Sequence, residues 1–242
     1  MGIFRKKKQP HAAEPSIRAL LFDIFGTTVD WHGGMIEHAR KLGEARGVAA
    51  DWRGLVEEWR AHYKPAIKPV REGKRPWLNF DQIHREEVDK IVRRYGAERL
   101  STEDRDALTR CWHLLKAWPD VVPGLYRLKK QFILGPLSNG TTRQLIETAR
   151  WAGLPWDAVF GADIFRTYKP APEVYKGAIA LLGLKPEEVL MVAAHNEDLQ
   201  AAQRQGLRTC FVGRPTEDAK VEGRFDFVVD DFEHLARVLG AV

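Results

Sequence analysis

Apolar residues recur at different spacings along the chain, and the spacing changes twice. Residues 18–22, "RALLF", form a short run that is typical of a buried strand. From Gly33 to Trp118 apolar residues recur every three or four positions and strand signals are absent, so this stretch is predicted to be helical. Within it, "STED" at residues 101–104 offers a hydroxyl cap followed by acids, which indicates a helix start.

From Pro119 onward, short apolar runs alternate with amphipathic segments. The runs are "QFILGPLSN", "DAVFGADIF", "EEVLMVAAH", "LRTCFVG" and "FDFVVDD", and helices are predicted near residues 142–152, 172–183, 197–205 and 232–239. This alternation is typical of βαβ units on a parallel sheet covered by helices. We therefore predict an α/β fold with a Rossmann-like, doubly wound core, residues 16–31 and 119–242, and an inserted helical cap, residues 32–118.

Polar residues follow four of the predicted strands. In doubly wound sheets, ligands bind at the carboxyl ends of the strands, so these residues are candidates for one common site. Taken singly, each has an ordinary explanation as a turn, cap or surface residue. Their shared position at strand ends favours a functional site. The residues are Asp23, Ser138, Asn139, Lys169, His195 and Asp198.

Charge and cysteine content narrow the range of partners. The formal charge is +5, but residues 5–8 supply four of these charges, which leaves +1 for the rest and argues against a nucleic-acid surface. Residues 1–15 are predicted to be a disordered basic tail without a signal-peptide core. No apolar run is long enough to span a membrane. Cys111 and Cys210 are not at metal-like spacing and indicate reduced thiols in a cytoplasmic protein.

The motifs, taken in order, suggest a family. D-x-F-G-T begins at Asp23, S-N-G at Ser138 and Y-K-P at Tyr168, and Asp198 follows the fourth apolar run. This combination resembles the haloacid dehalogenase superfamily and, within it, the branch that hydrolyses L-2-haloalkanoic acids. The resemblance extends from about residue 17 to the end of the chain. It implies a small 2-halo acid as substrate, a released halide, and a homodimer.

Two positions separate this chain from the phosphatases that the resemblance also covers. Those enzymes carry D-x-D, whose second acid protonates the leaving alkoxide, whereas here that position is Phe25. A halide leaves without protonation, so a nucleophile without an acid partner suits carbon–halogen cleavage. Where the phosphatases have a Mg²⁺-binding acid, this chain has Ala194. We therefore expect no metal and no cofactor.

The resemblance also implies roles for individual residues. Asp23 attacks C2 of the halo acid, and water then hydrolyses the resulting ester at the Asp23 carbonyl carbon, giving a 2-hydroxy acid with inversion at C2. Lys169 keeps Asp23 ionised, and Asp198 positions Lys169 and the water. The remaining assignments are halide binding by Arg60 and Asn139, binding of substrate carboxylate or ester oxygens by Thr27 and Ser138, a place in the catalytic network for Tyr175, and apolar walls from Phe25 and Phe80.

The pattern departs from familiar members of the branch at several positions. Ala193 and His195 replace a serine and an asparagine, and His195 brings a titratable group to the rim of the site. Ala61, Lys64 and Glu197 replace Gln, Leu and Trp, which indicates a more polar pocket.

Other functions stay open at this point. They are attack of the same aspartate on another activated carbon, such as a small cyclic amino acid like azetidine-2-carboxylate; a phosphatase; and a protein that binds a small carboxylate without turnover.

Overall fold

The structure is a computed structural model that describes residues 16–241, so the prediction for the basic tail lies outside the described residues. Within this range the sheet has six parallel strands in the order β3-β2-β1-β4-β5-β6. The strands are β1 Ala19–Phe22, β2 Ile133–Ser138, β3 Phe160–Gly161, β4 Val189–Ala193, β5 Arg208–Val212 and β6 Phe227–Val229.

Helices lie on both faces of the sheet and form the inserted cap. They are α1 Trp31–Arg46, α2 Trp52–Arg71, α3 Phe80–Ile91, α4 Thr102–Arg110, α5 Val121–Leu128, α6 Thr142–Ala152, α7 Ala162–Phe165, α8 Pro172–Leu182, α9 Asn196–Gln203 and α10 Phe232–Val238, with 3₁₀ turns at Val92–Tyr95, Cys111–His113 and Pro186–Glu188. The predicted fold class is confirmed. No helix among residues 16–241 is long and apolar enough to cross a membrane.

Strand β1 lies at the centre of the sheet because all four of its residues are apolar and buried on both faces. It pairs with β2 on one side and β4 on the other, so that Ala19 lies opposite both Ile133 and Val189. The direction in which the chain adds strands reverses at β1. This reversal opens a crevice at the carboxyl end of β1, where the next residue is Asp23.

The cap consists of helices α1 to α4, each begun by a side chain that accepts a hydrogen bond from the first turn. These N-caps are Asp30, Asp51, Asn79 and Ser101. The helix start predicted at "STED" is therefore confirmed, with a capping box between Ser101 and Asp104. Helix α3 changes to a 3₁₀ turn at Val92, and this turn ends at Gly96, which adopts the left-handed conformation that glycine tolerates best.

The third strand is shorter than the apolar run "DAVFGADIF" suggests. Only Phe160 and Gly161 pair with β2, and the chain then turns into helix α7. The Asp163 carboxylate accepts hydrogen bonds from the backbone and hydroxyl groups of Thr142, which fixes this turn against α6. A short strand at this edge of the sheet also limits unwanted pairing. The boundaries proposed between core and cap stay predictions.

Candidate active site

A cavity of about 480 Å³ lies between cap helix α2 and the carboxyl ends of β1, β2 and β4. Most of the candidate residues contribute to its wall. The lining residues are Asp23, Phe25, Arg60, Tyr63, Lys64, Pro65, Ile67, Lys68, Arg71, Ser138, Asn139, Lys169, Pro170, His195, Glu197 and Asp198.

Asp23 is buried at the end of β1 and has three side-chain partners. Its Oδ1 accepts from Lys169 Nζ at 2.8 Å, and its Oδ2 accepts from Thr27 Oγ1 at 2.8 Å and lies 3.1 Å from His195 Nδ1. Burial alone would raise the pKa of Asp23, but the charges of Lys169 and His195 hold it well below its usual range. The carboxylate is therefore ionised and oriented at the base of the cavity.

Lys169 lies between two buried carboxylates. Its Nζ donates to Asp23 and to Asp198 Oδ2, while Asp198 Oδ1 accepts from Tyr175 Oη at 2.6 Å. Burial opposes the charged form of the ammonium, yet the two carboxylates outweigh it and raise the pKa of Lys169. Burial and the negative charge of Asp23 raise the pKa of Asp198, against the effect of Lys169. Tyr175 is fully buried and reaches the site only through Asp198.

Thr27 supports Asp23 from beneath the cavity. Its hydroxyl donates to Asp23 and accepts from the backbone N–H of Ala194 at 2.9 Å, so it links the ends of β1 and β4. The tight turn between Asp23 and Thr27 needs Gly26, whose φ is +87°. Thr27 is completely buried, which places it behind the carboxylate and not on the cavity wall.

Arg60 projects from α2 on the opposite side of the cavity. Its guanidinium lies over Trp31 and Tyr63, 5.3 and 5.5 Å from the ring centroids. Asn139 faces the same cavity, and its Oδ1 accepts from the backbone N–H of Lys169 at 2.7 Å. Because the amide oxygen is used in this way, Nδ2 is the donor that Asn139 offers to a bound anion. Ser138 also lines the cavity.

The apolar wall is formed by Phe25, and Phe80 supports it from behind. The two rings stack with centroids 4.9 Å apart, and Trp112 meets both of them edge-on. Phe80 is fully buried in the cap and is not among the residues that line the cavity, which differs from its assignment as a wall residue. The physical reason is that Phe25 occupies the space between Phe80 and the substrate volume.

The outer part of the cavity is polar. Lys64 and Glu197 face each other across it, with Nζ and Oε2 3.2 Å apart, and Lys68 and Arg71 extend the same face of α2. Ala61 is not among the lining residues. The expectation of a pocket more polar than those of familiar members stays a prediction.

His195 has a second partner that the sequence analysis did not identify. Its Nε2 lies 2.7 Å from Glu217 Oε2, while Nδ1 faces Asp23. Burial alone would lower the pKa of His195, but the two carboxylates raise it to about 9. Glu217 lies in the polar loop after β5, the strand next to β4; the strand order brings this loop to the same edge, but the sequence does not distinguish Glu217 from the other acids in the loop.

The donor set does not fit a Mg²⁺ ion. In the place where a cation would lie between Asp23 and Asp198 the chain has its own ammonium, Lys169. Phe25 and Ala194 bring no oxygen to the positions that bind metal in the phosphatase pattern. Among residues 16–241 no cluster of three or more His, Cys, Asp or Glu side chains is arranged for metal binding.

Comparison with known proteins gives the family. The family model for haloacid dehalogenase-like hydrolases matches residues 17–206. The chain belongs to this family. The resemblance in the motifs is thus confirmed for a hydrolase whose sheet carries a helical cap.

Individual members of the family are similar over most of the chain. The (S)-2-haloacid dehalogenase 4A of Burkholderia cepacia is 30% identical over 206 residues, which cover 82% of this chain and 84% of that protein. The (S)-2-haloacid dehalogenase 1 of Pseudomonas sp. strain CBS-3 is also 30% identical, covering 82% and 85%. The crystal structure of a defluorinating L-2-haloacid dehalogenase superposes with a TM-score of 0.89 at 40% identity, covering 93% of this chain and 96% of that one.

Proposed function

We propose that this haloacid dehalogenase-like hydrolase removes the halogen from short 2-haloalkanoic acids by hydrolysis, without a metal, and forms 2-hydroxy acids. The observation that carries the proposal is Asp23: a buried, ionised carboxylate at the base of the cavity, held by Lys169, with an apolar Phe25 where a phosphatase has its acid. The similar (S)- and L-2-haloacid dehalogenases support the substrate class.

In the first step, an oxygen of Asp23 attacks C2 from the side opposite the halogen. The C2–halogen bond breaks, the halide leaves with its electron pair, and an ester joins Asp23 to the substrate with inversion at C2. Arg60 and the Asn139 amide are the donors available for the departing halide. Their attraction grows as negative charge develops on the halogen, so it lowers the barrier.

In the second step, water attacks the carbonyl carbon of Asp23. The C2–oxygen bond stays intact, the inverted configuration is kept, and an (S)-2-halo acid gives an (R)-2-hydroxy acid. Thr27 donates to Oδ2 of Asp23, and Ser138, which lines the cavity, is the proposed donor to the carboxylate of the substrate. Lys169 stabilises the returning aspartate. Asp198, held by Tyr175, keeps Lys169 in place.

The test is halide release from chloroacetate, bromoacetate, fluoroacetate and both enantiomers of 2-chloropropionate in the presence of EDTA. We expect metal-independent release that disappears in Asp23→Asn, with that variant's circular dichroism unchanged. One turnover in ¹⁸O-water should leave the label in the carboxylate of Asp23 and not in the product. Label in the first-turnover product would contradict the ester mechanism.

If the folded enzyme releases no halide from any substrate of the panel, the dehalogenase proposal is refuted. Azetidine-2-carboxylate and phosphate esters with Mg²⁺ are then the next substrates to assay, because both alternatives use the same aspartate.

We also propose a homodimer in the cytoplasm. The two cysteines are free thiols, which suits a reducing compartment, and sedimentation equilibrium measures the oligomeric state.

A further inference from the structure

Three side chains form a line that leads away from the reacting aspartate. Asp23 Oδ2 lies 3.1 Å from His195 Nδ1, and His195 Nε2 lies 2.7 Å from Glu217 Oε2. In this line the imidazole is within hydrogen-bond reach of a nucleophile on one side and of an orienting carboxylate on the other. The same arrangement is found where a histidine moves protons for a nucleophile.

The side chain of Glu217 is buried and held in one position. Trp31 Nε1 donates to its Oε1 at 2.7 Å, and Thr216 Oγ1 donates to the same oxygen at 3.1 Å. Only 6% of its side chain is exposed. Gly26 leaves the space it needs, because a Cβ on that glycine would lie 2.2 Å from Glu217 Cδ.

The charge of His195 depends on the state of Asp23. A neutral imidazole donates from one ring nitrogen only, so both carboxylates are satisfied together by the imidazolium. When Asp23 becomes an ester it loses its negative charge, and one of the two carboxylates that keep the imidazolium protonated is gone. The ring can then release a proton to solvent while Glu217 still fixes its orientation.

The other acid near the ester, Asp198, already has two hydrogen-bond partners. Asp198 uses one carboxylate oxygen for Lys169 and the other for Tyr175, so both of its oxygens already accept hydrogen bonds. His195 also lines the cavity, and 20% of its side chain is exposed against 8% for Asp198, so water can reach its ring. Because Nδ1 lies 3.1 Å from Asp23 Oδ2, a water molecule bound to Nδ1 would be next to the carbonyl carbon of Asp23.

We propose that His195, positioned by Glu217, is the general base that activates water for hydrolysis of the Asp23 ester. The inference rests on the proposed function. The neutral ring takes one proton from water as the oxygen bonds to the carbonyl carbon. The tetrahedral intermediate then expels the 2-hydroxy acid oxygen, which takes that proton from the imidazolium. The regenerated carboxyl group of Asp23 passes its proton to His195, which restores the starting pair, so that each cycle releases one proton to solvent.

Rapid-quench kinetics with chloroacetate tests the assignment in wild type, His195→Asn and Glu217→Gln. Glu222→Gln serves as the matched control, since Glu222 is an exposed glutamate on the same loop. General-base catalysis contributes about 10²- to 10⁴-fold. For His195→Asn we therefore expect a burst of about one chloride per site, then turnover slowed at least about 100-fold, with the ester on Asp23 visible by mass spectrometry.

Glu217→Gln should show the same burst and ester with a smaller loss of turnover, and Glu222→Gln should behave as wild type. A merely structural role of Glu217 would slow ester formation and hydrolysis alike and would leave no ester. If His195→Asn turns over without a burst, or releases no chloride in the first turnover, His195 is not the base. No chloride from wild type would instead refute the proposed function, and the base assignment with it. Should His195→Asn fail to fold, Glu217→Gln decides.

Discussion

Removing the charge of Lys169 should reverse how the stability of the protein depends on pH. In Lys169→Met, Asp23 keeps Thr27 and His195 as partners, but Asp198 keeps only the hydroxyl of Tyr175. Removing one partner of a buried ion pair costs about 3–5 kcal/mol, because the other charge stays buried without compensation. We expect Asp198 to take up a proton in the folded variant.

The change in unfolding free energy follows from the free-energy cost of protonating Asp198. An aspartate with an unfolded pKa of about 3.9 is protonated at pH 7 at a cost of about 4 kcal/mol, and at pH 5 at about 1.5 kcal/mol, since one pH unit corresponds to about 1.4 kcal/mol. The folded variant then binds one more proton than its unfolded chain, so its free energy of unfolding falls as pH rises.

The wild-type protein behaves in the opposite way with respect to Asp23. The pKa of Asp23 is depressed in the folded state, so its contribution is complete above the unfolded pKa and is lost as pH falls below about 4. Between pH 5 and 7 this contribution is constant. The difference between wild type and Lys169→Met should therefore grow by about 2.7 kcal/mol over these two pH units.

Urea unfolding at pH 5, 6 and 7, followed by tryptophan fluorescence, measures this difference. Lys64→Met is the matched control, because Lys64 pairs with Glu197 but its side chain is 71% exposed, and exposed pairs contribute at most about 1 kcal/mol. The loss of unfolding free energy in Lys64→Met should be small at each pH. A Lys169→Met loss below about 1 kcal/mol, or one equal at pH 5 and pH 7, would refute the reasoning.

Two further predictions concern single contacts at and near the site. His113 lies between Asp81 and Glu147, at 2.9 and 2.7 Å, and although burial opposes it these acids raise the pKa of His113. The stability that His113 adds is complete below a pH of about 6.5 and is lost as pH rises through the folded pKa. In urea titrations, the loss of unfolding free energy in His113→Gln should therefore be larger at pH 5.5 than at pH 9. The reverse order would contradict this prediction. Thr27→Val removes the hydroxyl that donates to Asp23, so we expect a loss of about 1–3 kcal/mol in unfolding free energy and slower ester formation in rapid-quench assays, whereas unchanged values for both would show that the bond contributes nothing.

Much of the fold could be predicted from the sequence because each local signal agreed with the final arrangement. The buried run at residues 18–22, the helical spacing of the cap and the hydroxyl cap at Ser101 all act over a few residues. The third strand was the exception. The apolar run around Phe160 is compatible with a strand or a short helix, and the contact of Asp163 with α6 decided between them.

For the site, the sequence could identify residues at strand ends but not their partners. Asp23, Lys169 and Asp198 are far apart along the chain, yet parallel strands bring their ends to one edge, so motif order was sufficient to group them. Phe80 shows the limit of this reasoning. Its aromatic character was evident, but whether it lines the cavity or supports Phe25 depends on packing between cap and core.

By itself, the sequence determined most of the strands and helices, the central position of Asp23 and the absence of a second acid at Phe25, because these depend on local spacing and residue type. Only the tertiary structure decided that Glu217 meets His195. Nothing in the polar loop after β5 marks that glutamate, and its role arises from where the loop folds back over Gly26, which has no side chain to exclude it. The approach of two carboxylates in three dimensions, and not spacing in sequence, therefore raises the pKa of His195 against the effect of burial and gives the ring its proposed part in the reaction.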